Sequence, residues 1–160
     1  MFDWDAFLSR LRRYPPGLHS LWPPCPAEQI EAVERELGGL PTTIWEMLRR
    51  FNGAELFCIM GAAFTFFRVS TVPPLPPSEW ASDWCIDIFT REWRKAGANR
   101  ERDWAIGMNN YGGLVLLDAN GNIKEWDTGE TRWLLKNVPF DEWIDKLMDE
   151  GEEIMAELGV

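Results

Sequence analysis

The chain opens and closes on apolar residues at helical spacing. Between those ends lie short apolar runs parted by glycine, asparagine and proline. Two helices are written most clearly between Cys25 and Gly53. Ile30, Val33 and Leu37 fall at i, i+3 and i+7 and make one stripe. Pro26 suits the opening turn, and Gly38 a left-handed stop. Pro41 opens a second helix whose buried face is Ile44, Met47, Leu48 and Phe51, with Asn52-Gly53 as its end. Neither helix is long enough to stand alone, so the stripes must bury against each other or against a sheet.

The rest of the pattern fills in around that pair. Asp3 to Tyr14 reads as an amphipathic helix with Trp4, Phe7, Leu8 and Leu11 on one face. It has acids at its start and arginines at its end. Leu18 to Pro24 reads as a linker. Glu55 to Val69 is rich in β-formers broken at Gly61-Ala62 and predicts a hairpin or two consecutive strands. Val72 to Pro77 carries four prolines and predicts an extended surface segment. Asp83 to Ala96 predicts a helix with Trp84, Ile88, Phe89 and Trp93 inward. Strands follow at Asp103–Met108, Gly113–Asp118, Asn122–Asp127 and Thr131–Asn137, with Ala119-Asn120-Gly121 as a hairpin turn. A last helix begins near Pro139, and Phe140, Trp143, Ile144, Leu147, Met148, Ile154, Met155 and Leu158 form its stripe. Gly151 lies on that stripe and allows close packing or a bend. The order of elements predicts an α+β fold: N-terminal helices packed on a meandering antiparallel β-sheet, closed by a long C-terminal helix. The 160 residues fit one domain.

The run Leu37-Gly38, Leu40-Pro41, Leu48, Phe51, Asn52-Gly53 resembles the signature of the SUKH superfamily, the Smi/Knr-like domains. The sequence departs from that pattern in three places. The spacer between Gly38 and Leu40 is one residue short. Ile44 stands where the family usually has Tyr, and Met47 where it usually has Phe. All three keep the apolar character. The Leu114-Val115-Leu116-Leu117-Asp118 strand, the Gly121 to Trp126 return and the Phe140–Trp143 opening of the last helix look like the family's later elements. The resemblance implies the same α+β fold. It also implies a protein-binding role without catalysis, because bacterial members commonly bind and neutralise a cognate toxin, often a nuclease.

Composition adds to this. Hydrophobic residues make up 46% and charged residues 26%, a globular profile. Ten tryptophans exceed what a small core readily hides, so some must lie at the surface. The net charge of −10 argues against direct nucleic-acid contact and against anionic membranes, and favours a basic partner. Solubility alone is the plainer reading of that charge. Three cysteines without a close pair point to reduced thiols and a cytoplasmic setting rather than a disulfide framework or zinc. The acidic, amphipathic N-terminus is unlike a secretory signal, and no apolar run spans a membrane.

No catalytic set emerges. His19 is the sole histidine, in a proline-flanked linker, and reads as a solvated loop residue. Cys58, placed mid-strand, and Cys85, on the inner side of a helix, read as small core residues, and Cys25 as occupying a helix-cap position. Asp118 to Asn122 is a hairpin turn rather than a calcium loop, since its glycine is misplaced for one. Neither a metal nor a cofactor is implied.

The candidate partner-binding residues are aromatics set among carboxylates. One group is the hairpin bearing Glu125, Trp126, Asp127 and Glu130, and another the segment bearing Trp80 and Trp84. The acids from Asp141 to Glu157 face a single base, Lys146. They form either a solvated outer face or a docking surface for a cationic protein. The function expected is that of an immunity protein binding a basic toxin domain. Two alternatives stand behind it. A regulatory scaffold of the fungal cell-wall type would carry long disordered flanks, which these residues lack. A small-molecule-binding protein would need a pocket between helices and sheet.

Overall fold

The computed structural model describes residues 1–59, 62–72 and 84–160. Five helices and seven strands follow one another as α1 (Trp4–Leu11), β1 (Ser20–Leu21), α2 (Ala27–Leu37), α3 (Thr42–Arg50), β2 (Ala54–Leu56), β3 (Phe64–Phe66), α4 (Ile86–Lys95), β4 (Trp104–Asn109), β5 (Gly113–Leu117), β6 (Asn122–Asp127), β7 (Arg132–Pro139) and α5 (Phe140–Leu158). The strands form one antiparallel sheet in chain order, each paired with the next. This is the expected α+β fold.

Strand alternation sorts the sheet into two faces. The register aligns Phe66, Gly107, Val115 and Glu125 across one of them. Trp143 of α5 meets Phe64 there at 5.3 Å between ring centres, and Trp4 of α1 meets Phe66 at 6.1 Å. Gly107 is needed at that spot, because a Cβ would run into the Phe64 ring and the Thr65 carbonyl. The other face carries Thr65, Met108, Leu114, Trp126 and Trp133 in register. There α4 brings Trp93 to within 5.8 Å of both Trp126 and Trp133. Thr90 accepts the Ala105 N–H at 2.9 Å, tying α4 to β4. Helices therefore cover both faces.

The α2–α3 hairpin docks on both sets of helices. Trp4 Nε1 donates to the Thr43 carbonyl at 2.9 Å, and Arg94 Nη1 to the Leu37 carbonyl at 2.5 Å. Pro26 and Pro41 sit at the N-caps of α2 and α3, one position earlier than the opening turn. Their fixed φ is extended-compatible, and the helix begins after them. Gly38 stops α2 at φ +69°.

Several expectations need correction. The linker from Leu18 to Pro24 contains a short edge strand, β1, paired with β2. Ile88 is exposed, while Ile86, Asp87 and Thr90 turn inward with Trp93. Asp87 is tolerated inside because both carboxylate oxygens are used, one by the Ser70 N–H and one by its hydroxyl. Ile154 and Leu158 leave the buried stripe of α5, which continues through Gly151 and Met155. Cys58 lies beyond β2 rather than mid-strand. Cys25 precedes the cap and is buried, its N–H bonded to the Leu48 carbonyl. His19 is half-buried, not solvated, and Nδ1 accepts the Phe57 N–H at 3.1 Å. The expected extended segment from Val72 to Pro77 lies, past Val72, outside the described residues.

Both sheet edges are poor templates for a further strand. β1 has two residues and runs into Pro23-Pro24. β7 carries Lys136, Asn137 at φ +58° and Pro139.

Candidate protein-binding surface

The β4–β5 and β6–β7 turns meet at one end of the sheet. Thr128 joins them, donating both its N–H and its hydroxyl to the Gly112 carbonyl at 3.2 and 2.9 Å. Asp127 shapes the second turn, because Oδ1 accepts the N–H groups of Gly129 and Glu130 at 2.9 and 3.0 Å. Gly112, at φ +84°, lets the first turn close.

Tyr111 projects from that first turn and is 63% exposed. Its hydroxyl reaches back to the sheet and donates to Glu125 Oε2 at 3.1 Å. Glu125 is buried, and its other oxygen accepts from Trp143 Nε1 at 3.1 Å. A chain of polar contacts thus runs from the core of α5 through the sheet to an exposed ring. The Tyr111 phenol is pushed up to about 12, first because its hydroxyl end is desolvated over the sheet. The Glu125 carboxylate it bonds and Glu150 of α5 push in the same direction.

Four of the expected site residues, Glu125, Trp126, Asp127 and Glu130, belong to the β6–β7 hairpin at this end. Asp127 and Glu130 lie in the turn beside Tyr111. Glu130 is exposed and reaches Arg132 at 2.6 Å. Glu125 lies beneath Tyr111 rather than at the surface. Trp126 points to the opposite face, half-buried against Trp93 and Trp133, with the Arg100 guanidinium 3.7 Å from the Trp93 ring centre and 5.5 Å from that of Trp126. Trp84 is half-buried against Phe67. Trp80 lies outside the described residues. Tyr111 was not singled out from the sequence. An aromatic between Asn-Asn and Gly-Gly in a turn has nowhere to bury, and that was the available signal.

The acids of α5 divide into three sets, one of them Glu150 alone, 3.8 Å from Lys146. Asp145, Asp149 and Glu152 converge on Arg10 of α1, with Asp149 at 2.6 Å and Asp145 at 3.9 Å. Asp141, Glu142, Glu153 and Glu157 are exposed and form no ion pair among the described residues. Burial, with help from neighbouring carboxylates, pushes the thiols of Cys25 and Cys58 up to about 11.

An open groove of about 670 Å³ lies between the α2–α3 linker and the β5–β6 turn. It is lined by Gly38, Gly39, Thr42, Arg102, Asp118 and Gly121 among others. Asp118 Oδ1 is occupied by the N–H groups of Asn120 and Asn122, as a hairpin turn requires. Among the described residues no cluster of three or more His, Cys, Asp or Glu is placed to hold a metal ion, and no helix is long and apolar enough to cross a membrane.

The class this architecture defines is an α+β domain with helices on both faces of an antiparallel meander. The model of the SMI1 / KNR4 family (SUKH-1) matches residues 24–146, more than half of the chain, and the chain belongs to that family. Membership is consistent with immunity or regulatory roles. No curated protein matches the chain.

Proposed function

We propose that this chain is a non-catalytic immunity-type protein that binds a basic toxin domain in the cytoplasm and masks its working surface. The observation that carries this reading is the outer face of α5, where Asp141, Glu142, Glu153 and Glu157 stand exposed without partners among the described residues. A nuclease domain is basic where it holds nucleic acid, and opposed charge speeds encounter and fixes orientation. Asp127 and Glu130 add carboxylates in the turn beside Tyr111. The raised thiol pKa values of buried Cys25 and half-buried Cys58 suit a reducing compartment, since neither is poised to react.

The test is a titration of the purified chain against the toxin domain encoded beside it, at two salt concentrations. Tight binding whose association rate falls with salt is expected. Changing Glu142, Glu153 and Glu157 together to Lys should slow association about tenfold or more, with the dissociation rate little altered. Recovery of no complex with that toxin would overturn the reading.

A further inference from the structure

Among the buried carboxylates of the sheet region are Asp103 at 3% exposure and Glu125 at 8%. Their surroundings are alike up to a point. Asp103 accepts from Trp93 Nε1 at 2.9 Å, and Glu125 accepts from Trp143 Nε1 at 3.1 Å. The Asp103 site is complete: Lys124 Nζ stands 2.9 Å away, and the Arg100 guanidinium lies over the same Trp93 ring. At Glu125 both donors, Trp143 and Tyr111, are neutral. Among the described residues Glu125 forms no ion pair, and no cation lies over the Tyr111 ring. A buried carboxylate whose partners are both neutral donors has no cation of its own chain beside it, which leaves that place to a partner's cation.

We infer that Tyr111 is the seat of an arginine side chain from the basic partner, stacked on the exposed ring with Glu150 accepting its hydrogen bonds and Glu125 supplying charge from behind. The inference rests on the basic-partner reading above and locates its anchor. The ring is exposed and held, because its hydroxyl is fixed to Glu125. Glu150 is 61% exposed at its side chain and near enough to act on the phenol. Arginine suits the seat better than lysine, because a planar guanidinium can stack and donate to a carboxylate at once. The chain itself makes that stacking contact on the opposite face, with Arg100 on Trp93.

The probe is a hexa-arginine peptide at about 0.15 M salt, where unpaired surface charge is screened beyond roughly 8 Å. Only two tyrosines are present, so a Tyr14→Phe chain carrying labelled tyrosine reports on Tyr111 alone. Saturation with hexa-arginine should shift the Tyr111 ring resonances. Hexa-lysine should bind more weakly. Tyr111→Ala should weaken hexa-arginine binding about fivefold. Glu125→Gln keeps an oxygen for the Trp143 N–H and turns the Tyr111 bond round, its amide donating to the phenol oxygen, but removes the carboxylate, and should weaken it similarly. Glu31→Gln, an exposed carboxylate on α2, should change it less than about twofold. Unmoved Tyr111 resonances, or equal affinity with Tyr111→Ala, would overturn the inference. In that outcome the acidic-surface reading still stands or falls on the toxin titration, which does not depend on Tyr111.

Discussion

His19 illustrates how a single side chain reports its surroundings. Nδ1 accepts the Phe57 N–H, so the neutral ring carries its proton on Nε2. Phe57 holds φ +54°, a conformation uncommon outside glycine, and the histidine helps fix it. Burial lowers the His19 pKa below its usual 6.5, with Glu152 opposing weakly. The unfolded chain therefore takes up a proton near pH 6.5 that the folded chain refuses. Stability should be full above that pH and decline below it, until the lowered folded value is reached. Urea midpoints between about pH 8 and pH 5 should show this slope, at most roughly 1.4 kcal/mol per pH unit from this group. His19→Asn, whose side chain can still accept an N–H, should flatten it. An unchanged slope in that variant would sink the assignment.

Legibility at this scale was uneven. In β6, Ile123 and Glu125 share a face by parity, and Ile123 is fully buried. The alternation thus places Glu125 inward, although its charge by itself points to the surface. Parity separated Trp126 from Glu125 just as clearly. The pattern could not say that both faces are covered, since that depends on where α4 returns after a long excursion. His19 gave no signal at all, because a proline-flanked histidine looks like loop until β1 pairs with β2.

Among the elements, α5 was the easiest to read and holds the sharpest packing constraint. The apolar stripe and its glycine were both visible in the sequence. The structure shows what the glycine allows, which is the Phe57 ring lying against the helix backbone. A Cβ at position 151 would sit well inside van der Waals contact with three atoms of that ring. Gly151→Ala should gain up to about 1 kcal/mol in helix propensity. It should lose about 1–3 kcal/mol to overpacking. Phe57 is pinned by its backbone and by His19, so the loss should win, giving a net destabilisation of roughly 1–2 kcal/mol by chemical denaturation. A more stable variant would show that the ring moves aside freely. The α2–α3 pair was equally legible, because its stops and stripes lie within a short window. The edge strand β1 was not, since two residues carry no period.

For the whole molecule, charge and topology divide the chain differently. The negative surface gathers on α5, while the cations Arg100, Lys124 and Lys136 attend the tryptophans of the other face. Topology divides it along the sequence. Leu117 pairs with Ile123, and Asp127 with Arg132, across short turns. Ser20 must find Glu55, and Phe64 must find Asn109, across much longer stretches of chain. Closing a long loop costs more entropy than closing a short one, so the β4–β7 half can assemble before the rest has organised. Amide hydrogens in β5 and β6 should accordingly exchange through global opening only. Those of β1 and β2 should exchange through a cheaper, partial opening that peels one flank away and leaves the later hairpins standing.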